Sequence, residues 1–228
     1  MPAQIHILSA GAVQPGLSKV IEIFRRESGD EVVVSFATAP AIAKRIAAGE
    51  MFDVAITPQQ VIEELATQEK IAPANRATLG RIGVGVMIRA GAPLPNVATV
   101  AALKEALMNA DSLVFNQAST GVYLESLFDQ LGIAEQVRNK TTRYADFSAV
   151  LTHVSGGQGN EIGFGATTVI IESIGKGVRF VGPLPAETQN YTTYTAALSA
   201  NAKDAAHALL RYFATPAAKA IFTAAGIE

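Results

Sequence analysis

A repeated order of short apolar run, small-residue turn and longer amphipathic segment is the feature that most constrains the fold. The runs Ile5–Leu8, Glu31–Phe36 and Asp53–Thr57 are predicted as strands by their length and β-branched content. A segment with helical spacing follows each run, and the first carries its apolar residues on one face from Leu17 to Phe24. Strands that alternate with helices predict a parallel sheet covered by helices on both faces.

The same alternation begins again in the second half of the chain, after the loop Gly91–Pro95. A glycine-interrupted apolar strand is expected over residues 80–90, and the last segment, which contains Pro216, is predicted to be helical. The pattern therefore predicts two α/β lobes. The other expected elements are helices over 99–108, 122–131 and 146–154, and strands over 112–115, 161–165, 177–181 and 191–198.

Composition excludes several classes of function. The 228 residues include no cysteine, which rules out disulfides, thiolate metal sites and a catalytic thiol. A formal net charge of −2 gives no reason to expect nucleic acid as a partner. His6, His153 and His207 are not spaced to bind a metal on one helix face, and no nucleotide or hydrolase motif is present. We expect no metal, no cofactor and no nucleic acid.

The first residues lack the basic and apolar regions of a signal peptide, and no apolar run reaches the length of a membrane span. We therefore expect no membrane insertion. The predicted location is periplasmic if a leader peptide has been removed, and otherwise cytoplasmic.

Small or hydroxyl-bearing turns precede several predicted helices. They are Ser9–Ala12, Thr38–Ala39, Asn116–Gly121 and Asp146–Ser148. Such a turn presents unpaired backbone N–H groups at the positive end of the helix dipole, where an anion binds well. Ordinary helix capping is the alternative explanation.

Several segments resemble the molybdate-binding proteins of bacterial ABC importers over nearly the whole chain. They are SFATAPAIAKRIAAG at 35–49, the strand Asp53–Thr57, LGI at 131–133 and NEIGFG at 160–165. The resemblance implies a two-lobed class II periplasmic-binding fold with a two-strand hinge and a ligand held between the lobes. It assigns residues 1–80 plus 195–228 to lobe 1 and residues 81–194 to lobe 2.

The same resemblance identifies the positions that hold ligand. Molybdate binders place two serines and a tyrosine where this chain has Ala12, Ala39 and Ala166. Three donors to a tetrahedral oxyanion are missing, at a cost of about 1.5–3 kcal/mol for each charge-assisted hydrogen bond lost. The additional space favours a larger, carbon-based anion.

A subgroup of these proteins, which includes aconitate isomerases and organic-anion binders, is more similar. The shared segments are SAGA at 9–12, RIGVGVMIRAGAPLP at 81–95 and VGPLPAE at 181–187. A small di- or tricarboxylate is the implied ligand. Arg81 is expected either to bind a ligand carboxylate or to be a solvated arginine. The predicted ligand-binding residues are Ser9, Ala10, Gly11, Ala12, Thr38, Ala39, Arg81, Ser119, Thr120, Gly121, Tyr123 and Phe147.

The sequence thus predicts a solute-binding protein that closes on an aconitate-like anion, with an ABC transporter as the partner implied by resemblance. One alternative is an isomerase that moves a proton on a tricarboxylate, although the turns offer no obvious general base. The others are a molybdate-binding importer component and a cytosolic ligand sensor.

Overall fold

The computed structural model describes residues 2–228, except for the side chain of Pro73. The strands are β1 (Gln4–Ala10), β2 (Glu31–Ala37), β3 (Val54–Pro58), β4 (Ile71–Arg89), β5 (Ser112–Asn116), β6 (Thr141–Tyr144), β7 (Glu161–Ala166), β8 (Val178–Pro183) and β9 (Tyr191–Ser199). The helices are α1 (Gln14–Ser28), α2 (Ala39–Ala47), α3 (Gln59–Thr67), α4 (Val100–Asn109), α5 (Ser119–Gln130), α6 (Ala134–Arg138), α7 (Phe147–Gly156), α8 (Thr167–Glu172), α9 (Asp204–Phe213) and α10 (Pro216–Ala224).

Internal contacts divide the chain into two compact units. Unit 1 contains Met1–Ile82 and Thr192–Glu228, and unit 2 contains Gly83–Tyr191. Within the described residues, no helix combines the length and the apolar character that crossing a membrane requires.

Unit 1 is built on a sheet in which β1 pairs in parallel with β2 and β3, and β9 pairs antiparallel to β3. The carboxyl ends of β1, β2 and β3 therefore lie at one edge of this sheet. Asp53, directly before β3, links β3 to β1. Its buried carboxylate accepts the N–H of His6 in β1 at 2.8 Å, and Lys203 Nζ lies 3.6 Å from the same carboxylate.

Both faces of the unit 1 sheet are covered by helices. On one face, Leu8, Ala55 and Ala197 pack with Ile42 and Ile46 of α2 and with side chains of α3. Helices α1, α9 and α10 contact one another, and the rings of buried Phe213 and Phe222 pack edge to face at 6.1 Å between centroids. The helix faces predicted from apolar spacing are thus the faces that pack.

Unit 2 contains a second sheet. Strand β5 pairs in parallel with β6 and β7, and β4 pairs antiparallel with β7 and β8. Its core includes an aromatic series in which the ring of Phe128 packs edge to face with those of Phe115 and Phe164. The carboxyl ends of β5, β6 and β7 again share one edge, after which α5, α7 and α8 begin.

Most predicted elements are present, with shifted boundaries. Strand β4 begins at Ile71 rather than near residue 80, and α5 begins at Ser119 rather than at Val122. Pro58 is the last residue of β3, and α3 begins directly after it at Gln59. The sequence prediction missed α6, β6 and α8, which are short.

Candidate functional site

The carboxyl edge of the unit 1 sheet contains buried hydroxyl groups. Ser9 and Thr57 are fully buried near the ends of β1 and β3, and each donates a long hydrogen bond to the next carbonyl of the chain, at 3.2 Å and 3.3 Å. Thr195 on β9 pairs with Thr57 across the strands, and its buried Oγ1 has no partner among the described residues. The edge thus contains more hydroxyls than the predicted Ser9 and Thr38.

Helix α2 begins at this edge without a side-chain cap. Thr38 occupies the N-cap position in an extended conformation, yet its hydroxyl does not accept a hydrogen bond from the first turn. The first backbone hydrogen bond of the helix joins the Ile42 N–H to the Thr38 carbonyl at 3.0 Å. The N–H that such a cap would otherwise satisfy is that of Ala41, the third helical residue, because Pro40 has no N–H.

The segment after β1 is different from the expected open turn. Ser9 and Ala10 are still part of the strand, and Gly11–Val13 form a single turn of 3-10 helix that leads directly into α1. Ala12 lies in this turn, where the side chain is a methyl group. No hydroxyl is therefore contributed at this position.

At the corresponding edge of unit 2, α5 starts with three predicted site residues. Ser119, Thr120 and Gly121 form its first turn, and the N-cap residue Ala118 has no polar side chain to cap them. The first backbone bond runs from the Val122 N–H to the Ala118 carbonyl at 3.1 Å. Helix α5 thus presents hydroxyls and first-turn N–H groups at the end of β5, as predicted for an anion-binding turn.

The close approach of α5 to β5 depends on Gly121. A Cβ atom at this position would collide with the carbonyl oxygen of Asn116, the last residue of β5. The side-chain Oδ1 of Asn116 is buried and has no hydrogen-bond partner among the described residues. Sequence analysis placed Asn116 in the turn but did not single it out.

Tyr123 is part of the packing of unit 2. Its hydroxyl donates to the Thr188 carbonyl at 2.5 Å, and its ring packs against the core cluster that contains Phe115. Burial raises the pKa of Tyr123 above its usual value, so the hydroxyl remains protonated at neutral pH.

Helix α7 has its own capping carboxylate. Asp146 Oδ1 accepts hydrogen bonds from the Ser148 hydroxyl at 2.7 Å and from the Ala149 N–H at 3.0 Å, and these donors lower the pKa of Asp146. The ring of Phe147 packs directly against Gly165 of β7, so closely that a Cβ atom at Gly165 would lie 2.5 Å from the ring. Asp146 supplies at α7 the negative charge that a bound anion would supply at α2 or α5.

Arg81 pairs with the C-terminal segment of unit 1. Its backbone exchanges hydrogen bonds with Glu228, at 2.7 Å and 3.0 Å, and its guanidinium lies 3.3 Å from the Glu228 carboxylate. The side chain is more than half exposed, at 55%. A surface pair of this kind contributes little stability. Carboxylate recognition by Arg81 stays a prediction.

Other chemistry-bearing residues lie away from these edges or lack polar groups. Ala166 ends β7 as a methyl side chain. His153 lies on α7, with Nδ1 2.9 Å from the Tyr144 hydroxyl and Nε2 3.5 Å from Ser112 Oγ. In the part of the chain that the structure describes, no group of three or more His, Asp or Glu side chains could hold a metal ion.

Comparison with known proteins identifies the family. The model of bacterial extracellular solute-binding proteins matches residues 5–228. This chain belongs to that family. The assignment agrees with the resemblance seen in the sequence.

Individual relatives span the same length. The chain is 28% identical over 226 residues to an aconitate isomerase of a Pseudomonas species, covering 95% of this chain and 85% of the relative. It is 25% identical over 225 residues to the molybdate-binding protein ModA of Escherichia coli strain K12, covering 96% and 86%. The solved periplasmic molybdate-binding protein of Azotobacter vinelandii aligns with a TM-score of 0.82 at 18% identity, covering 98% of each chain. This likeness confirms the predicted periplasmic-binding fold.

The Asp146 cap predicts a pH-dependent contribution to stability. Replacing Asp146→Ala should lower the free energy of unfolding by about 1 kcal/mol at pH 7, the usual cost of a lost N-cap. The pKa of Asp146 is lower in the folded state, so its ionised form stabilises the protein above the unfolded pKa of about 3.9. That stabilisation is lost as the pH falls through the folded pKa.

Urea denaturation at pH 7 and at about pH 3 measures this effect. The difference between wild type and Asp146→Ala should shrink at the lower pH. Asp129→Ala, which removes an exposed carboxylate from α5, is the matched control and should show no such loss. An unchanged difference at both pH values would argue against the cap.

Proposed function

We propose that this chain is a solute-binding protein for a small organic anion, with a di- or tricarboxylate of the aconitate type as ligand. The observation that carries the proposal is the difference between helix starts at the two carboxyl edges. Helices α2, α3, α5 and α8 begin at these edges without a side-chain cap, whereas α7 begins with the carboxylate of Asp146. Among the uncapped starts, α2 and α5 carry the predicted site residues Thr38 and Ala39, and Ser119–Gly121. Uncapped N-termini bind anions through their N–H groups and dipole.

The side chains around these helix starts support an organic ligand over molybdate. Ala12, Ala39 and Ala166 carry methyl groups where the resemblance to molybdate binders leads us to expect hydroxyl donors. A compact tetrahedral oxyanion would lose those hydrogen bonds, whereas a longer anion fills the additional space with its carbon skeleton. Ser119 and Thr120, with the backbone donors of α2 and α5, are the proposed carboxylate contacts.

We further propose that Arg81 and Tyr123 contribute to ligand binding from outside these first turns. The remaining predicted residues, Ser9–Ala12, Thr38, Gly121 and Phe147, are proposed to form the walls of the site. An ABC importer is the proposed partner, and the periplasm is the proposed location. These finer assignments rest on the resemblance and on family membership.

A ligand panel tests the anion class. At a concentration about 100 times the dissociation constant, a bound ligand stabilises the folded state by about 2.7 kcal/mol. We expect thermal unfolding to move upward with cis-aconitate, trans-aconitate, citrate or another di- or tricarboxylate. Molybdate, tungstate and sulfate should leave it nearly unchanged. Calorimetry that gave submicromolar molybdate binding would overturn the choice of ligand.

Charge reversal at the helix starts tests the site itself. Ala118→Asp should cap α5 and place a fixed negative charge beside the first turn, as Asp146 does at α7. Coulomb repulsion at partly screened distances should then weaken anion binding by about ten- to a hundredfold. Thr38→Asp should have the same effect through α2.

Neutral caps provide the matched controls. Ala118→Asn and Thr38→Asn also cap the helix but add no charge, so they should weaken binding much less. Titration calorimetry with the tightest carboxylate from the panel gives the affinities. Equal affinity in the Asp and Asn variants would show that the anion binds elsewhere.

The second candidate function is proton transfer, which is favoured by the match to an aconitate isomerase. The ionisable groups near the proposed contacts are poorly suited to act as a base. The pKa of Asp146 is lowered by Ser148 and the pKa of Tyr123 is raised by burial, so one is a weak base and the other stays protonated. Binding without turnover is therefore the preferred function.

Proton NMR in deuterated buffer distinguishes the two functions. Protein incubated with cis- or trans-aconitate should produce neither the other isomer nor deuterium exchange at carbon. Turnover above about 1 per second, the low end of ordinary enzymes, would establish the isomerase instead. The Ala118→Asp variant provides the control, because it should abolish turnover that depends on the proposed site.

A further inference from the structure

Unit 2 contains a cavity of about 350 Å³ that is not part of its carboxyl edge. One wall is a side of α4 whose residues are spaced three and four apart and so share one face of the helix. Leu103 and Leu107, on a different face of α4, are buried in the core. The opposite wall is the loop at 92–96, between β4 and α4. The residues that α4 contributes are Ala102, Glu105, Ala106 and Asn109.

The floor of this cavity is apolar. Ile88 from the end of β4, Ala92, Ala110 and Ile162 from the start of β7 are all buried and line it. A ligand with a hydrocarbon body would therefore remove apolar surface from water, at about 25 cal/mol for each Å² buried. The volume is within the usual range for small-molecule sites.

The polar groups of the cavity carry only negative charge or none. Glu105 and Glu161 contribute carboxylates, and Asn109 and Asn160 contribute side-chain amides, whereas no lysine or arginine is among the lining residues that the structure describes. Two lysines nearby are bound to carbonyls: Lys104 Nζ donates to the Leu131 carbonyl at 2.8 Å, and Lys140 Nζ donates to the carbonyls of Met108 and of the lining residue Ala110 at 2.6 Å and 2.8 Å.

Glu105 is the carboxylate best placed to attract a cation. It is exposed, whereas Glu161 Oε1 accepts the N–H groups of Gln158 and Gly159 at 3.1 Å and 2.8 Å. Glu161 Oε2 is buried and has no hydrogen-bond partner among the described residues, so Glu161 adds negative charge at the same site. An apolar floor beside an accessible carboxylate is complementary to a hydrophobic amine in its protonated form.

The position of the cavity separates it from the proposed anion contacts. It lies where β5 and β7 begin, whereas Ser119 and Thr120 follow the end of β5. A five-residue strand spans about 13 Å between its first and last Cα atoms. The two ends of the same sheet thus favour ligands of opposite charge.

The wall at 92–96 has room to adapt to a ligand. Leu94, Pro95 and Asn96 also line a second cavity of about 580 Å³ on the side of residues 181–186. The Leu94 side chain is 54% exposed and is therefore not packed in the core. Residues 94–96 therefore have open space on two sides, whereas Ala92 and Val97 at either end are fixed in the core.

We propose that this cavity is a second binding site, specific for a small organic ammonium ion with an apolar body, and that Glu105 pairs with the ammonium group. The site does not depend on the anion-binding function, because it uses different residues at the other end of the sheet.

The test uses three probes of similar shape and different charge: 2-phenylethylammonium, 3-phenylpropanoate and 2-phenylethanol. Amide NMR spectra of the isotopically labelled protein should show saturable shifts with the ammonium ion, with a dissociation constant of about millimolar. The shifts should be confined to residues 88–110 and 160–162. The alcohol should bind more weakly, and the carboxylate should cause no shifts there.

Variants separate the charge from the cavity. Glu105→Gln should weaken ammonium binding by about two- to fivefold, as expected for a partly exposed ion pair. Ala102→Phe should fill the cavity and abolish binding of both the ammonium ion and the alcohol. Glu172→Gln removes an exposed carboxylate from α8 in the same unit and should leave the affinity unchanged.

The absence of saturable shifts up to about 20 mM ammonium probe would overturn the proposal. So would equal binding of the carboxylate, or shifts centred on Ser119 and Thr120 instead of α4. Failure of the carboxylate panel at the anion site would leave this result unaffected, because no substitution or probe is shared by the two experiments.

Discussion

The unpaired N–H groups of the first turn of a helix are the constraint around which both sheets are organised. Each parallel strand in units 1 and 2 leads into a helix at the same edge, so these donors gather at the carboxyl ends of the strands. The chain satisfies them at α7 with Asp146 and leaves α2, α3, α5 and α8 without such a cap. The proposed anion binding needs donors held in place before the ligand arrives, and a helix start held by the core provides them.

Close packing determines where those helix starts lie. Phe147 is seated against Gly165, and α5 approaches β5 at Gly121, so a missing side chain on one element makes room for the other. The clusters beneath, one with Ile42 and Ile46 and the other with Phe115 and Phe128, fix the helices against the sheets. The positions of the donors are consequently properties of the core, and substitutions deep in either unit can move them.

The sequence was sufficient for elements with strong periodicity. The β1, β2 and β3 runs and the faces of α1 and α2 were predicted because apolar spacing and tertiary packing agree there. The first half of β4 was not, because residues 72–78 (APANRAT) lack a β pattern and pairing imposes the strand. Helix α5 begins at Ser119, and the close approach of its first turn to Asn116 requires a glycine at 121 despite the low helix propensity of glycine. At the site, Thr57 and Thr195 come together only through the pairing of β3 with β9, a contact between segments far apart in sequence.

The glycine at the start of α5 also has a consequence for how such a protein can change. Position 121 cannot gain a side chain without moving the helix away from the Asn116 carbonyl, so we expect glycine to be retained there. Ser119 and Thr120, which both precede this glycine, are only half-buried. New ligand preferences are therefore accessible by single steps at these two neighbours, within a backbone that the glycine holds constant. The first turn of α5 thus combines a fixed backbone with two replaceable side chains at the proposed contacts, an arrangement that allows a scaffold to diversify.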